Sequence, residues 1–560
     1  MAGKNIVLLV LVMLIWFSSF SQSTYLPLDS KHQTFIERIE IKAQTDSTLN
    51  FSSIQPYNRQ FLTDAFSKIE NAKIVSIDKV DQYNLKSFMM GNKEWSSSLS
   101  ALTLSKRNPL KRFYTTPVNF FETNQSDFFL AVNPILYFQY GQDKGYDKRL
   151  IVNSRGVSVR GLIGGKVGFA SQITDNQERG PLFFQEKILN NGWRALPGVG
   201  FFKDFKDDVT INDYFDARGY FTFNATGYID VQFGFDKNFI GNGYRSLFLS
   251  DWGNSYLFAK FNTRIWKFNY QNLYMELMPQ FKKEGDTLLN RKYAAIHHLS
   301  INVTPRLNIG FFEGIVFSRK NHFDYAYLNP IIFYRHIEGN AGSPDNALAG
   351  LDFKWNAFKR TQFYGQFLLD EFILSKIKSE PGNWTNKFAI QLGAKYIDAF
   401  GIRHLDLQAE ANRVRPFTYS HSDSVSNYTH YNQPLAHPLG ANFQEFIVIA
   451  NYQPYPRLNI NTKFIHYYKG IDSTGTNFGG NIFKSYNSRN GDNGFMLANG
   501  NKVTCTNIIF NLSYEMKQNL FFDFGIINRN FHNTKANNTV STTIYQAALR
   551  LNIGRREYDF

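Results

Sequence analysis

Only one cysteine, Cys505, stands in 560 residues, which excludes an internal disulfide framework and any cysteine-built zinc cage. Long apolar runs are scarce too. Past Phe17 no uninterrupted stretch approaches the ~18 apolar residues that mark a membrane helix, so a membrane-crossing body would have to use strands. Self-similar units of roughly 40–50 residues are missing, which argues against a propeller or a repeat adhesin. No long Lys/Arg block or nucleic-acid motif accompanies the formal charge of +15, so lipid A or an acidic polysaccharide suits that charge better than nucleic acid does. P-loop, nucleophile-elbow and paired-histidine metal signatures are absent as well.

What is abundant is aromatic. Phe and Tyr number 55 and 31, and aromatic residues make up 17% of the chain, while the mean hydropathy is slightly polar. That combination fits a large sheet with one greasy face and one wet face. The first residues read as an export leader over 1–21: Lys4, an apolar run from Ile6 to Phe17, then Ser19 and Ser21 before Gln22. The run is too short to span a bilayer comfortably.

Residues 22–126 form an N-terminal segment expected on the periplasmic side. Within it, 57–105 carries the one helical pattern: Phe61, Leu62, Ala65, Phe66 and Ile69 share a face after Asn58, an N-cap candidate. Val80, Tyr83 and Phe88 form a weaker set, followed by Trp95, Leu99 and Leu102. This is a small helical unit whose apolar face needs a partner.

From about residue 127 to residue 560 the period is two. Phe221, Phe223, Ile229, Val231, Phe233 and Phe235 interleave with Thr222, Asn224, Asp230, Gln232 and Asp236; IIFNLSYEM and YQAALRLNI alternate in the same way. Polar groups at every second position need water or each other, which a dry sandwich core does not supply. Tight joints near Gly164-Gly165, Ala225–Gly227, Pro305-Arg306, Phe358–Arg360 and Lys517–Asn519 alternate with longer polar stretches near 176–217, 237–253, 319–347, 415–441 and 469–503. The rhythm predicts an all-β transmembrane barrel of about 18 antiparallel strands in the outer membrane, with brief periplasmic turns and long outer loops. REYDF at the end resembles the terminal aromatic that the barrel-assembly machinery reads, although Asp559 breaks the alternation.

The polar stretch YTHYNQPLAHPLGANFQE, residues 428–445, begins in an outer loop that also holds Arg413, Arg415, Tyr419 and His421. His430 and His437 flank Pro434 without metal-ligand spacing, and nearby serines form no ordered triad, so no metal, cofactor or catalytic residue is expected. Two readings stay open: a loop that folds back to close the mouth, or a ligand grip. In the second, aromatic faces stack on sugar rings while Arg, Asn, Gln and His donate to hydroxyls and carboxylates. On it the candidate glycan contacts are Arg245, Arg335, Arg415, Tyr419, His430, Tyr431 and His437. For Arg335 a purely structural pair with Glu338 competes. Gly241 and Gly243 permit a tight loop rather than cradle phosphate.

Three segments carry a family resemblance: FGFDKNFIGNGYRSLFLSD, LNPIIFYR, and the block from NRVRPFTYSH to HPLGANFQE. They resemble Bacteroidota outer-membrane proteins of the Wzi-type capsule-assembly family, which includes the gliding-motility protein RemB. The match runs from QPYNRQF at 55–61 through the barrel. It implies an 18-stranded barrel with a periplasmic helical bundle and a lectin-like, non-catalytic role in holding capsular polysaccharide at the cell surface, among membrane lipid and lipopolysaccharide. The gliding branch implies instead a surface partner of motility or secretion machinery. A barrel hydrolase is the remaining alternative. No sugar-site residue transfers position by position.

Overall fold

The computed structural model describes residues 22–44, 46–96, 116–189, 195–206, 208–281, 288–331, 333–342, 344–371, 373–380, 382–473 and 475–560. The expected leader, and Leu99 and Leu102 of the helical pattern, lie outside them.

Eighteen antiparallel strands close into a barrel. They are β1 Phe128–Asp143, β2 Arg149–Ile163, β3 Val167–Arg179, β4 Asp208–Asn224, β5 Ile229–Asp236 and β6 Tyr256–Ile265. Next come β7 Phe268–Leu277, β8 Lys292–Thr304, β9 Leu307–Phe317, β10 Asn346–Ala357, β11 Thr361–Glu371 and β12 Lys387–Tyr396. The last six are β13 Leu405–Val414, β14 Phe443–Tyr455, β15 Leu458–Ile471, β16 Asn501–Lys517, β17 Leu520–Asn533 and β18 Asn538–Leu551. Closure is made by β18 on the upper half of β1, from Ile544 opposite Asp143 to Leu551 opposite Leu136.

Side chains sort by the two-residue period. Phe221, Phe233, Phe311, Leu351, Ile508 and Leu549 stand exposed on the outside, whereas Gln232, Lys260, Gln271, Gln391 and Asn511 are buried within. An apolar exterior and a hydrogen-bonded interior leave no sheet edge to satisfy, which lets the wall sit in hydrocarbon. Among the described residues no helix is long and apolar enough to cross a membrane.

Three helices, α1 Gln33–Lys42, α2 Arg59–Asn71 and α3 Lys79–Met90, seal the short-turn end. Asn58 caps α2 as its sequence position suggests, its side chain accepting from the Phe61 amide at 3.0 Å. Leu62, Ala65, Phe66 and Ile69 are buried with Phe35, Ile36, Ile39 and Phe88 in one core. Helix α1 was not expected, because Ile39-Glu40-Ile41 alternates like a strand; Phe35, Ile36 and Ile39 nonetheless share the packed face.

The unit is bonded round the barrel rim. Arg38 reaches Asp398 and Asp406 at 2.5 and 2.6 Å, and Lys354 meets Glu40 at 2.5 Å. Farther round, Asn84 donates to Gln453 at 2.8 Å and Tyr83 to Glu515 at 2.9 Å. Asp78, Asp81 and His404 bring metal-ligand atoms within 4.8 Å of one another. Arg38 and Lys42 already neutralise Asp81, at 3.2 and 2.6 Å, so the cluster works as a latch between α3 and the turn before β13.

The chain end departs from expectation. Alternation stops at Leu551, and REYDF, instead of completing the last strand, turns up into the lumen, where Tyr558, Asp559 and Phe560 are buried. Gly554 donates to Asp29 at 2.8 Å at the bend. The Tyr558 hydroxyl donates to Glu178 at 2.7 Å, and Phe560 packs edge-on against Trp252 at 4.5 Å. A carboxylate and a ring that find partners inside the barrel have no cause to pair along its wall.

Candidate functional site

The loop between β5 and β6 folds inward. Its Phe239-Ile240 pairs as a short antiparallel strand with Ile54-Gln55 of the N-terminal unit, and Leu247, Phe248 and Leu249 are fully buried. Phe248 stacks on Phe312 at 4.4 Å. Gly243 is required by close approach: a Cβ there would collide with the Glu410 carboxylate. That carboxylate accepts from the Tyr244 and Arg245 amides at 2.7 and 3.1 Å.

Six of the seven predicted residues lie in this interior or directly above it. Arg245 is buried and donates to the Asp559 carbonyl at 2.6 Å, with Glu445 at 3.7 Å. Burial alone would raise the Asp559 carboxyl, but Arg245 and Lys463 hold it well below the ordinary range. Tyr419 is buried, its hydroxyl donating to the Leu247 carbonyl at 2.8 Å, and it stacks on Tyr428 at 5.8 Å.

His430 is held from both ring nitrogens: Nδ1 accepts from the Met278 amide and Nε2 faces the Ser255 carbonyl, both at 3.1 Å. A carbonyl only accepts, so the proton sits on Nε2 and the ring is neutral. Burial pushes its pKa down to about 3. His437 sits 2.7 Å from Glu445, and burial lowers its pKa although Glu445 opposes the shift. Tyr431 packs against Phe281 at 4.7 Å. Arg415 donates to the Asn386 and Asn383 carbonyls at 3.1 and 3.3 Å, bracing two loops.

Arg335 lies elsewhere. It sits on the outside of the wall, 70% exposed at the side chain, and pairs with Glu338 at 2.6 Å.

Above the plug, the described residues of the loops 373–386, 415–442 and 475–500 knit into one face. The Trp384 amide donates to the Asp492 carbonyl at 2.9 Å, and the Phe495 amide to Gly382 at 2.9 Å. Trp384 lies between Tyr486, at 4.6 Å, and the Arg489 guanidinium, at 3.8 Å. Asn487, Ser488, Asn490, Asp492 and Asn493 are exposed beside them. Flat rings, a fixed cation and exposed amides are groups that grip a sugar chain. Sequence reasoning missed Trp384, Tyr486 and Arg489; the signal was a lone tryptophan in the polar run PGNWTNK.

Between the helical cap and the plug lies a polar cavity of about 410 Å³, lined among others by Arg38, Tyr83, Tyr244, Lys463, Glu515 and Glu557. Residues 217–506 match the family model of the capsule assembly protein Wzi. The chain belongs to that family. The solved structure of Wzi, an outer membrane protein involved in group 1 capsule assembly in Escherichia coli and described as a carbohydrate-binding β-barrel, matches with a TM-score of 0.56 at 13% identity. The match covers 95% of this chain and 100% of that one. OprD of Pseudomonas aeruginosa matches with a TM-score of 0.42 at 11% identity, over 75% of this chain and 94% of that one. No curated protein sequence matches.

At this identity the Escherichia coli structure speaks for the barrel, not for the site. The chain is thus a Wzi-family outer-membrane barrel with a filled lumen.

Proposed function

We propose that this Wzi-family barrel holds exported acidic capsular polysaccharide at the cell surface without turning it over. On this reading the leader is removed on export, the helical cap lies in the periplasm, and the long loops face outward. Family membership supplies the class of partner. The observation that carries the rest is the filled lumen: with a helical cap below and loops and tail above, the face knitted from the long loops is left as the working surface.

Trp384, Tyr486 and Arg489 are the leading contacts on that face. Arg415, Tyr419, His430, Tyr431 and His437 shape it from beneath, and Arg245 ties the tail to the plug. The charge of +15 favours an anionic chain.

The test is Trp384→Ala with Tyr486→Ala, assayed for binding of purified capsular polysaccharide and for capsule retention by a deletion strain that expresses the variant. Stacking on aromatic rings predicts a loss of about tenfold or more, as for a site whose aromatic anchors dominate. Wild-type retention by a correctly inserted double variant would remove the face from consideration.

A further inference from the structure

The segment between β9 and β10, described over residues 318–331, 333–342 and 344–345, does not join the loops over the mouth. It folds down the outside of the wall. Strand register puts Asn272 of β7, His297 of β8 and Glu313 of β9 in one row on the outer face, next to the row of Tyr270, Leu299, Phe311 and Leu351. Phe311 and Leu351 are exposed, as lipid-facing residues should be, yet Asn272 and His297 are buried. The segment covers them.

Tyr327 and Tyr334 pack in one cluster with Tyr274, Tyr293, Ala295, Ile315 and Phe317, and the Tyr334 ring lies 3.9 Å from that of His297. Hydrogen bonds staple the segment to outward-facing groups of the wall. The Tyr274 hydroxyl donates to the Leu328 carbonyl at 3.1 Å, that of Tyr270 to the Pro330 carbonyl, and that of Tyr293 to the Asn321 carbonyl at 2.8 Å. The Arg335 amide, at the start of helix α4 Tyr334–Asn340, donates to Glu313 at 3.1 Å. Arg319 clasps the two ends together through Asp345, at 2.6 Å.

Pro330 therefore reaches the Tyr270 row, which is level with Phe311, well below the end of β9 at Phe317. At ~3.3 Å per residue and a strand tilt of about 40°, that descent is on the order of 15 Å, the depth of one leaflet. Between Tyr325 and Phe333 the exposed side chains are mainly apolar, with Tyr325 80% exposed, Leu328 43%, Ile331 84% and Phe333 77%, while Arg335, 70% exposed at the side chain, and His336 stand beyond them at the start of the helix.

We propose that the described residues of this segment form a lipid-embedded flap whose Leu328, Ile331 and Phe333 lie among acyl chains of the leaflet on the long-loop side. It hides a polar row, Asn272, His297 and Glu313, that hydrocarbon would not tolerate, and it restores an apolar surface over it. Acyl chains are the occupant because the patch is continuous with the exposed Phe311 and Leu351 of the belt.

The test uses single cysteines, Leu328→Cys, Ile331→Cys and Phe333→Cys, in a Cys505→Ser background, each labelled with bimane and reconstituted in phosphatidylcholine vesicles. Phe311→Cys serves as the lipid reference and Asn487→Cys as the water reference, and heat-modifiable migration selects folded barrels. Brominated acyl chains should quench the flap positions as strongly as position 311, and aqueous iodide should quench only position 487. Iodide quenching at 331 and 333 without bromolipid quenching overturns the proposal. So does self-cross-linking of the position 331 cysteine between two copies, which would assign the face to a dimer.

Discussion

Single residues inside the barrel are constrained by the cost of burying polar atoms. His430 is the clearest case, since its two bonds require a neutral ring. With its pKa held at about 3 against an ordinary 6.5, the folded chain binds fewer protons than the unfolded chain between those values. Its contribution is therefore whole above pH 6.5 and is lost on acidification, at about 1.4 kcal/mol per pH unit. Hydrogen exchange of residues 428–441, corrected for intrinsic rates, should quicken from pH 7 to pH 5. His430→Gln should flatten that response to the share left by His437, and an unchanged slope would clear His430 of the effect. Arg245→Met leaves Asp559 with Lys463 alone, at 3.3 Å, and strips Glu445 of its arginine, a loss approaching the roughly 3–5 kcal/mol of a broken buried pair. Thermal melting in detergent should show it, and Asp559→Asn added to Arg245→Met should cost less than the sum of the two.

At the scale of elements, period-two alternation made the strands legible, because each exposed face meets hydrocarbon and each hidden one meets polar neighbours. Phe221 to Asp236 shows this directly. Two elements were not legible. Phe239, Leu247, Phe248 and Leu249 read as loop residues, and only the gap between opposite walls makes them a plug. The tail read as a strand ending, yet partners on β3, β15 and the inward loop draw it inside. Deleting residues 556–560 should open a water path through the upper lumen. The readout is labelling of a Tyr244→Cys side chain in a Cys505→Ser background by a water-soluble maleimide, slow with the tail in place and faster without it; unchanged labelling of a correctly folded deletion would mean that the loops alone close the upper lumen.

For the whole molecule, the cap is bonded round the rim rather than hinged from one side. A disulfide between Asn84→Cys and Gln453→Cys, whose native side chains are hydrogen-bonded at 2.8 Å, should leave polysaccharide retention unchanged. Loss of retention on oxidation, restored by reductant, would show instead that the cap must move.

The candidate residues mark where sequence reasoning ends. Their chemical types were legible, and so was the loop that holds Arg415 to His437. Their burial was not, because it depends on which loops meet above the plug. Composition and alternation by themselves determined a closed wall with an oily outside and a hydrated inside, since only a barrel of paired strands satisfies every backbone group in hydrocarbon. Tertiary structure alone decided that loops and tail fill the lumen, that one loop lies against the outside of the wall, and that Trp384 meets Arg489. Those contacts join segments far apart in the chain, and no local pattern of residues encodes the distance between them.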